Sequence, residues 1–222
     1  MNREQEHLYR LLEEVDEICR RNNITYYVGG GCALGAIRGG GFMPWDDDID
    51  LHITRDEWEK LIEVMKTQLP ENRMFVCSDT DPEYGNPIGR YVDRNTTVMM
   101  RSQLLSAKAC GEMVEFFVFD RMPEDPERKE RHRMLVKTYC ELLTQSFLSN
   151  HKILYVNKGF SYKHYLECRR RAETVGREKV LNELMDEISS VPDEESDEWY
   201  MCWAYVDHEY KKEMFGDRKS VV

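Results

Sequence analysis

Seven of the 13 glycines lie between Gly29 and Gly41, so backbone freedom is concentrated in one short stretch. That stretch directly follows the β-branched and aromatic run Ile24–Val28 and precedes the acidic run Asp46–Asp50. A short strand ending in consecutive glycines can turn sharply and let a ligand approach the backbone closely. If Cys32 opens a helix, the free N–H groups of its first turn favour an anion such as phosphate. Taken alone, the glycines are better explained by a plain flexible turn. The pattern also matches neither the P-loop, which needs GK[ST], nor the dinucleotide fingerprint G-x-G-x-x-G.

The acidic run changes that balance. Asp46, Asp47, Asp48 and Asp50 are wedged among the apolar residues Pro44, Trp45, Ile49 and Leu51, an odd setting for a merely solvated turn. On a strand, side chains two apart point the same way, so Asp48 and Asp50 present two carboxylates on one face. Like charges this close need a cation or a shared proton. Oxygen-only ligands suit Mg2+ or Mn2+, with substrate phosphates and water completing the shell. A calcium loop would need the order D-x-[DN]-x-[DN]-G with a distal Glu, which this run lacks. Glu115 offers a third acid at the start of the apolar stretch EFFVFD, where a carboxylate without a partner is unusual. Two carboxylates from one strand and one from a neighbour form a cradle for two-metal phosphoryl transfer. Glu115 also fits a base toward an incoming hydroxyl, or simply the end of a surface strand.

The rest of the chain supplies a framework for these residues. Apolar positions from Glu4 to Arg21 recur at helical spacing. Strand-like runs are expected at Ile24–Val28, Ile49–Ile53, Met74–Cys77, Ile88–Val92, Thr97–Arg101 and Val114–Phe119. Cys32–Arg38 reads as a short helix, and Thr54 with Glu57 has capping-box spacing for a helix to about Gln68. From about Glu124 the chain reads as mainly helical through Leu148, and again from Ser161 to Ser189. Asp193–Glu198 reads as a solvated loop, and Trp199–Val206 is ambiguous. The expected fold is α+β: a mixed sheet with flanking helices over residues 1–122, then a helical region over 123–222.

Charge and cysteine usage narrow the function. A net charge of −11 argues against nucleic acid and anionic membranes as general partners. No apolar run is long enough to span a bilayer, and the N-terminus has no apolar signal region. Seven scattered cysteines without CxxC spacing fit a cytoplasmic protein better than a zinc site or a disulfide framework. The basic stretches Glu127–Arg133 and Arg169–Arg171 read as solvated helix faces, and His52 as a strand-edge neighbour of the acids.

The stretch Gly30–Leu51, GGCALGAIRGGGFMPWDDDIDL, resembles the signature of the LicD family of phosphotransferases, GG-x-LLGA-x-R…GF-x-PWDDDID. Downstream, GRYVDRNTTV at Gly89–Val98 and VEFFVFDRMPED at Val114–Asp125 are similar to two further family segments. The resemblance implies a nucleotidyltransferase-like fold and transfer of a phospho-substituent, such as phosphocholine, from a CDP-linked donor to a glycan hydroxyl. It implies Asp48, Asp50 and Glu115 as metal ligands and catalytic groups, although the third family acid is commonly Asp. It also implies Gly30 and Gly31 as donor-phosphate contacts, with Arg38 a further candidate. Trp45 is a candidate to cage a choline head through its ring, with core or rim packing the alternative. The family usually continues through an FEG-like strand and a YGDYM-like helix, so a short or truncated member is expected. Two other functions share these residues: transfer of the nucleotide itself to a small acceptor, and non-catalytic nucleotide binding.

Overall fold

The computed structural model describes residues 1–98, 111–144, 162–190, 199–203 and 208–211. The chain forms two compact units. The first takes Met1–Cys77 and Ile88–Phe119; the second takes Ser78–Pro87 and the chain from Asp120 onward.

In the first unit, helix α1 spans Arg3–Arg21 and starts from a reciprocal cap. The Gln5 N–H donates to Asn2 Oδ1 at 2.8 Å, and the Asn2 N–H donates to Gln5 Oε1 at 3.2 Å. Leu8, Leu11, Val15, Ile18 and Cys19 form the buried stripe that the helical spacing requires. The chain leaves α1 through Asn23, which sits at φ 54°. It then enters β1 (Tyr27–Val28), α2 (Gly30–Gly39), β2 (Asp50–Thr54) and α3 (Arg55–Gln68). β3 (Arg73–Val76), β4 (Gly89–Asp93) and β5 (Met113–Arg121) complete the sheet of this unit.

The sheet order is β1-β2-β5-β4-β3. β2 and β5 run parallel, and the other pairings are antiparallel, as expected of a mixed sheet. Alternation divides the sheet residues between two faces. Leu51, Ile53, Val114, Phe116 and Val118 share one buried core with Leu11 and Val15 of α1 and with Trp58 and Leu61 of α3. Asp50, His52, Glu115 and Phe117 therefore lie on the opposite face. His52 is not an edge residue, because β2 lies between β1 and β5 and His52 pairs in register with both Tyr27 and Phe117.

The helix expected at Thr54 is present, but not through a capping box: Thr54 makes no side-chain cap bond. Glu57 instead accepts the Thr25 backbone N–H at 2.9 Å, so a tertiary contact takes the group that the local motif would use. Thr97–Val98 is not a strand, and the remainder of that expected run lies outside the described residues, as does Asp193–Glu198.

The second unit contains α4 (Pro126–Thr144), α5 (Tyr162–Val175) and α6 (Arg177–Ser189). Gly176, at φ 93°, interrupts the helical run expected from Ser161 to Ser189. Leu135, Tyr139, Leu142, Tyr165, Leu181 and Leu184 belong to a separate buried core. The ambiguous stretch after residue 198 begins as strand β6 (Trp199–Cys202), antiparallel to β7 (Tyr210–Lys211). The basic stretch of α4 is only partly solvated. Lys129 and Arg133 both pair with Glu209, and Arg131 pairs with Glu187.

Trp58 is fully buried between Phe75 and Phe116, with ring centroids 5.4 and 5.6 Å away. Its ring also fills the space that a side chain at Gly89 would occupy. Trp58→Ala is expected to lower unfolding free energy by about 3–5 kcal/mol, measured by urea denaturation.

Candidate active site

Gly29 and Gly30 carry the chain from β1 into α2. The Gly29 N–H donates to the Asp50 carbonyl at 2.8 Å, and Gly30 adopts φ 53°, where a side chain is strained. A Cβ on Gly30 would collide with the Asp50 carboxylate. A Cβ on Gly31 would come within 2.7 Å of Asp46 Oδ2. These glycines are therefore needed for the close approach of α2 to two carboxylates as well as for a turn.

The acid loop is held by its carbonyls. Gln5 Nε2 donates to the Met43 and Asp46 carbonyls at 3.0 and 2.9 Å. The Cys32 thiol donates to the Asp48 carbonyl at 3.2 Å, and the Glu115 N–H donates to the Ile49 carbonyl at 2.9 Å. With the Gly29 bond to Asp50, partners on four different segments fix the path from Asp46 to Asp50. Asp46 Oδ2 is buried and has no hydrogen-bond partner among the described residues.

This path gathers the three sequence-predicted acids. Asp48, Asp50 and Glu115 each offer an oxygen, and these atoms all lie within 4.8 Å of one another. Asp50 and Glu115 are direct partners in the parallel β2–β5 register. Burial, followed by the charges of Asp48, Glu115 and Asp46, pushes the Asp50 carboxyl up to about 6. Burial and the charges of Asp46, Asp47 and Glu115 also raise Asp48 above the usual carboxylate range. Burial lowers His52, which packs against Phe117 and Phe119.

Arg90 is the cation closely paired with this cluster. Its Nε donates to Glu115 Oε1 at 2.7 Å, its Nη2 lies 2.6 Å from the same oxygen as an ion pair, and both residues are buried. At an effective dielectric of about 20, two carboxylates at this separation repel by roughly 3 kcal/mol. Among the described residues, Arg90 alone against three ionised carboxylates would leave the trio with two net negative charges. The donor set suits a hard divalent ion: oxygen ligands only, held on a rigid backbone and under-compensated in charge.

The other expected site residues are more peripheral. Arg38 is exposed on the last turn of α2, about 12 Å of helical rise from Gly30. Trp45 is 76% exposed, which excludes core packing for its ring. Sequence reasoning missed Arg90, Gln5 and Cys32 as organisers of the site. Cys32 and Arg90 lay in segments that the family resemblance had singled out, and Gln5 did not.

Residues 23–85 match the family described as LicD/FKTN/FKRP, nucleotidyltransferase domain. The lipopolysaccharide cholinephosphotransferase LicD of Haemophilus influenzae is 32% identical over 120 residues, which cover 53% of this chain and 43% of that protein. Both matches support membership of the LicD family. Uncharacterized proteins of Rickettsia prowazekii and Rickettsia typhi are each 40% identical over 50 residues, 22% of this chain and 19% and 16% of theirs. The chain spans less than half the length of these relatives. No solved structure matches it.

The raised Asp50 carboxyl makes a signed prediction. Above pH 6 Asp50 is ionised in both folded and unfolded states, so the folded protein carries the full repulsion. Between about 6 and 3.8 the folded state takes up the proton first, and below that range the penalty is gone. Allowing for partial solvent screening, Asp50→Asn is expected to stabilise the metal-free protein by about 1 kcal/mol at pH 8. That advantage should disappear at pH 4, read from urea midpoints in the presence of a chelator.

Proposed function

We propose that this chain is a metal-dependent transferase that moves a phospho-substituent, such as phosphocholine, from a CDP-linked donor to a sugar hydroxyl of a cell-surface glycan. The observation that carries this reading is the convergence of Asp48, Asp50 and Glu115 beside the α2 glycines. The Haemophilus relative, by name a lipopolysaccharide cholinephosphotransferase, supports the choice of head group and acceptor.

Asp48, Asp50 and one oxygen of Glu115 would hold Mg2+ or Mn2+. Bound there, the ion would bring the donor phosphates to an acidic site and neutralise charge developing on the leaving group. Gly30 and Gly31, the first residues of α2, leave no side chain between the phosphates and the carboxylates. Glu115 or Asp50 would orient or deprotonate the acceptor hydroxyl. The acceptor oxygen would form the new P–O bond as its proton passes to that carboxylate. The P–O bond to the nucleoside monophosphate breaks, and the leaving phosphate oxygen keeps the electron pair. Trp45, exposed beside Asp46, is available to pack against a cationic head group.

A cytoplasmic setting is part of this reading and rests on the scattered cysteine usage of the sequence. No helix among the described residues is long and apolar enough to cross a membrane.

Thermal melts with CDP-choline, CDP-ribitol, CDP-glycerol and nucleoside triphosphates, each with and without Mn2+, test the reading. One CDP-alcohol is expected to raise the midpoint only when metal is present, by an amount that grows with the logarithm of ligand over Kd. Asp48→Ala/Asp50→Ala should abolish that shift. Equal binding of metal and donor by this variant and wild type would sink the metal-site assignment. Mass spectrometry of the acceptor should show addition of the phospho-alcohol; addition of the nucleotide would identify nucleotidyl transfer instead.

A further inference from the structure

We propose that Arg90 determines which divalent ions the carboxylate trio accepts, by leaving Glu115 a single oxygen to coordinate with. The inference rests on the metal-site reading of Asp48, Asp50 and Glu115 and adds a residue that this reading does not include. Arg90 is held from both sides by strand pairing, opposite Val76 on β3 and opposite Glu115 on β5. Glu115 in turn has Asp50 as its partner on the other side. A guanidinium therefore flanks the Glu115 carboxylate on one side and a second carboxylate flanks it on the other.

The contact is lopsided in an informative way. A guanidinium facing a carboxylate usually forms two parallel bonds, one to each oxygen. Here Nε and Nη2 converge on the same atom, Oε1, at 2.7 and 2.6 Å. The hydrogen bond from Nε and the closest ion-pair contact, from Nη2, both fall on that oxygen. Both side chains are buried, at 3% and 6% exposure, so water does not compete to loosen the arrangement.

Coordination chemistry gives this asymmetry a consequence. Ca2+ takes six to eight oxygens and often uses a carboxylate through both of them, whereas Mg2+ requires near-ideal octahedral geometry and takes carboxylates through one. Holding Glu115 to one oxygen removes a ligand atom that Ca2+ can use and Mg2+ or Mn2+ does not need. Arg90 is thus a positioning residue acting through Glu115. Its loss should change the ratio of metal affinities more than it changes affinity for the smaller ions.

Isothermal titration of the full chain with MnCl2 and with CaCl2 reads that ratio directly, without any activity assay. Wild type is expected to bind Mn2+ more tightly than Ca2+. In Arg90→Met the preference should narrow by about tenfold, the scale on which partners of metal ligands act, mainly through tighter Ca2+ binding. Arg90→Lys, with a point charge in place of the fork, should fall between the two. A folded Arg90→Met variant with an unchanged Ca2+ to Mn2+ ratio overturns the inference, even if both affinities fall together, as a purely structural role would produce. Should that variant not fold, a crystal structure of wild type with Ca2+ decides. Glu115 bound through one oxygen with Arg90 still on Oε1 supports the inference, and Glu115 bound through both with Arg90 displaced overturns it. Wild type that binds neither ion overturns the metal-site reading itself, and this inference with it.

Discussion

Parallel pairing of β2 with β5 sets Asp50 directly across from Glu115, and the first unit is organised around tolerating that juxtaposition. Like charges opposite one another on a sheet destabilise the pair. The opposite face of the same strands compensates, because Leu51, Ile53, Phe116 and Val118 are anchored in the core that α1 and α3 cover. A slip of one residue would carry those side chains to the acidic face and the acids into the core. Core packing therefore enforces a register that electrostatics alone would reject, and the acids are held in an arrangement that calls for a cation.

Backbone anchoring completes the arrangement. Bonds from Gln5, Cys32, Glu115 and Gly29 hold the carbonyls between Asp46 and Asp50. None of these four contacts uses a carboxylate of the run. The loop is thus fixed through its main chain, while the side-chain oxygens are left for chemistry. That arrangement suits a preorganised site, in which ligand groups need little reorganisation when charge arrives.

Much of this was legible before any coordinates. The helical stripe of α1 and the alternation of β2 read directly, because burial imposes periodicity on the sequence. Asp48 and Asp50 were expected on one strand face, whereas β2 begins at Asp50 and Asp48 lies in the loop before it, so the loop path rather than strand alternation brings the two together. What escaped depends on contacts between distant segments. Gln5 lies 41 residues from Asp46, and Arg90 lies 25 from Glu115, so no local pattern could pair them. The Thr54 capping box failed for a related reason: Glu57 fits the motif, but its carboxylate bonds to Thr25. The α2 glycines were read as making room for a ligand, whereas the groups lying against Gly30 and Gly31 are the carboxylates of Asp50 and Asp46.

The Gln5 side chain has a further consequence. Its carbonyl oxygen closes the first turn of α1, and its amide nitrogen holds the acid loop. Helix fraying and loop loosening are therefore mechanically one event, although they occur at opposite ends of a 41-residue stretch. Loss of the Asn2 cap would act on the acidic site through this link, by loosening the turn that keeps the Gln5 amide in place. The first turn of α1 is thus part of the site's scaffold.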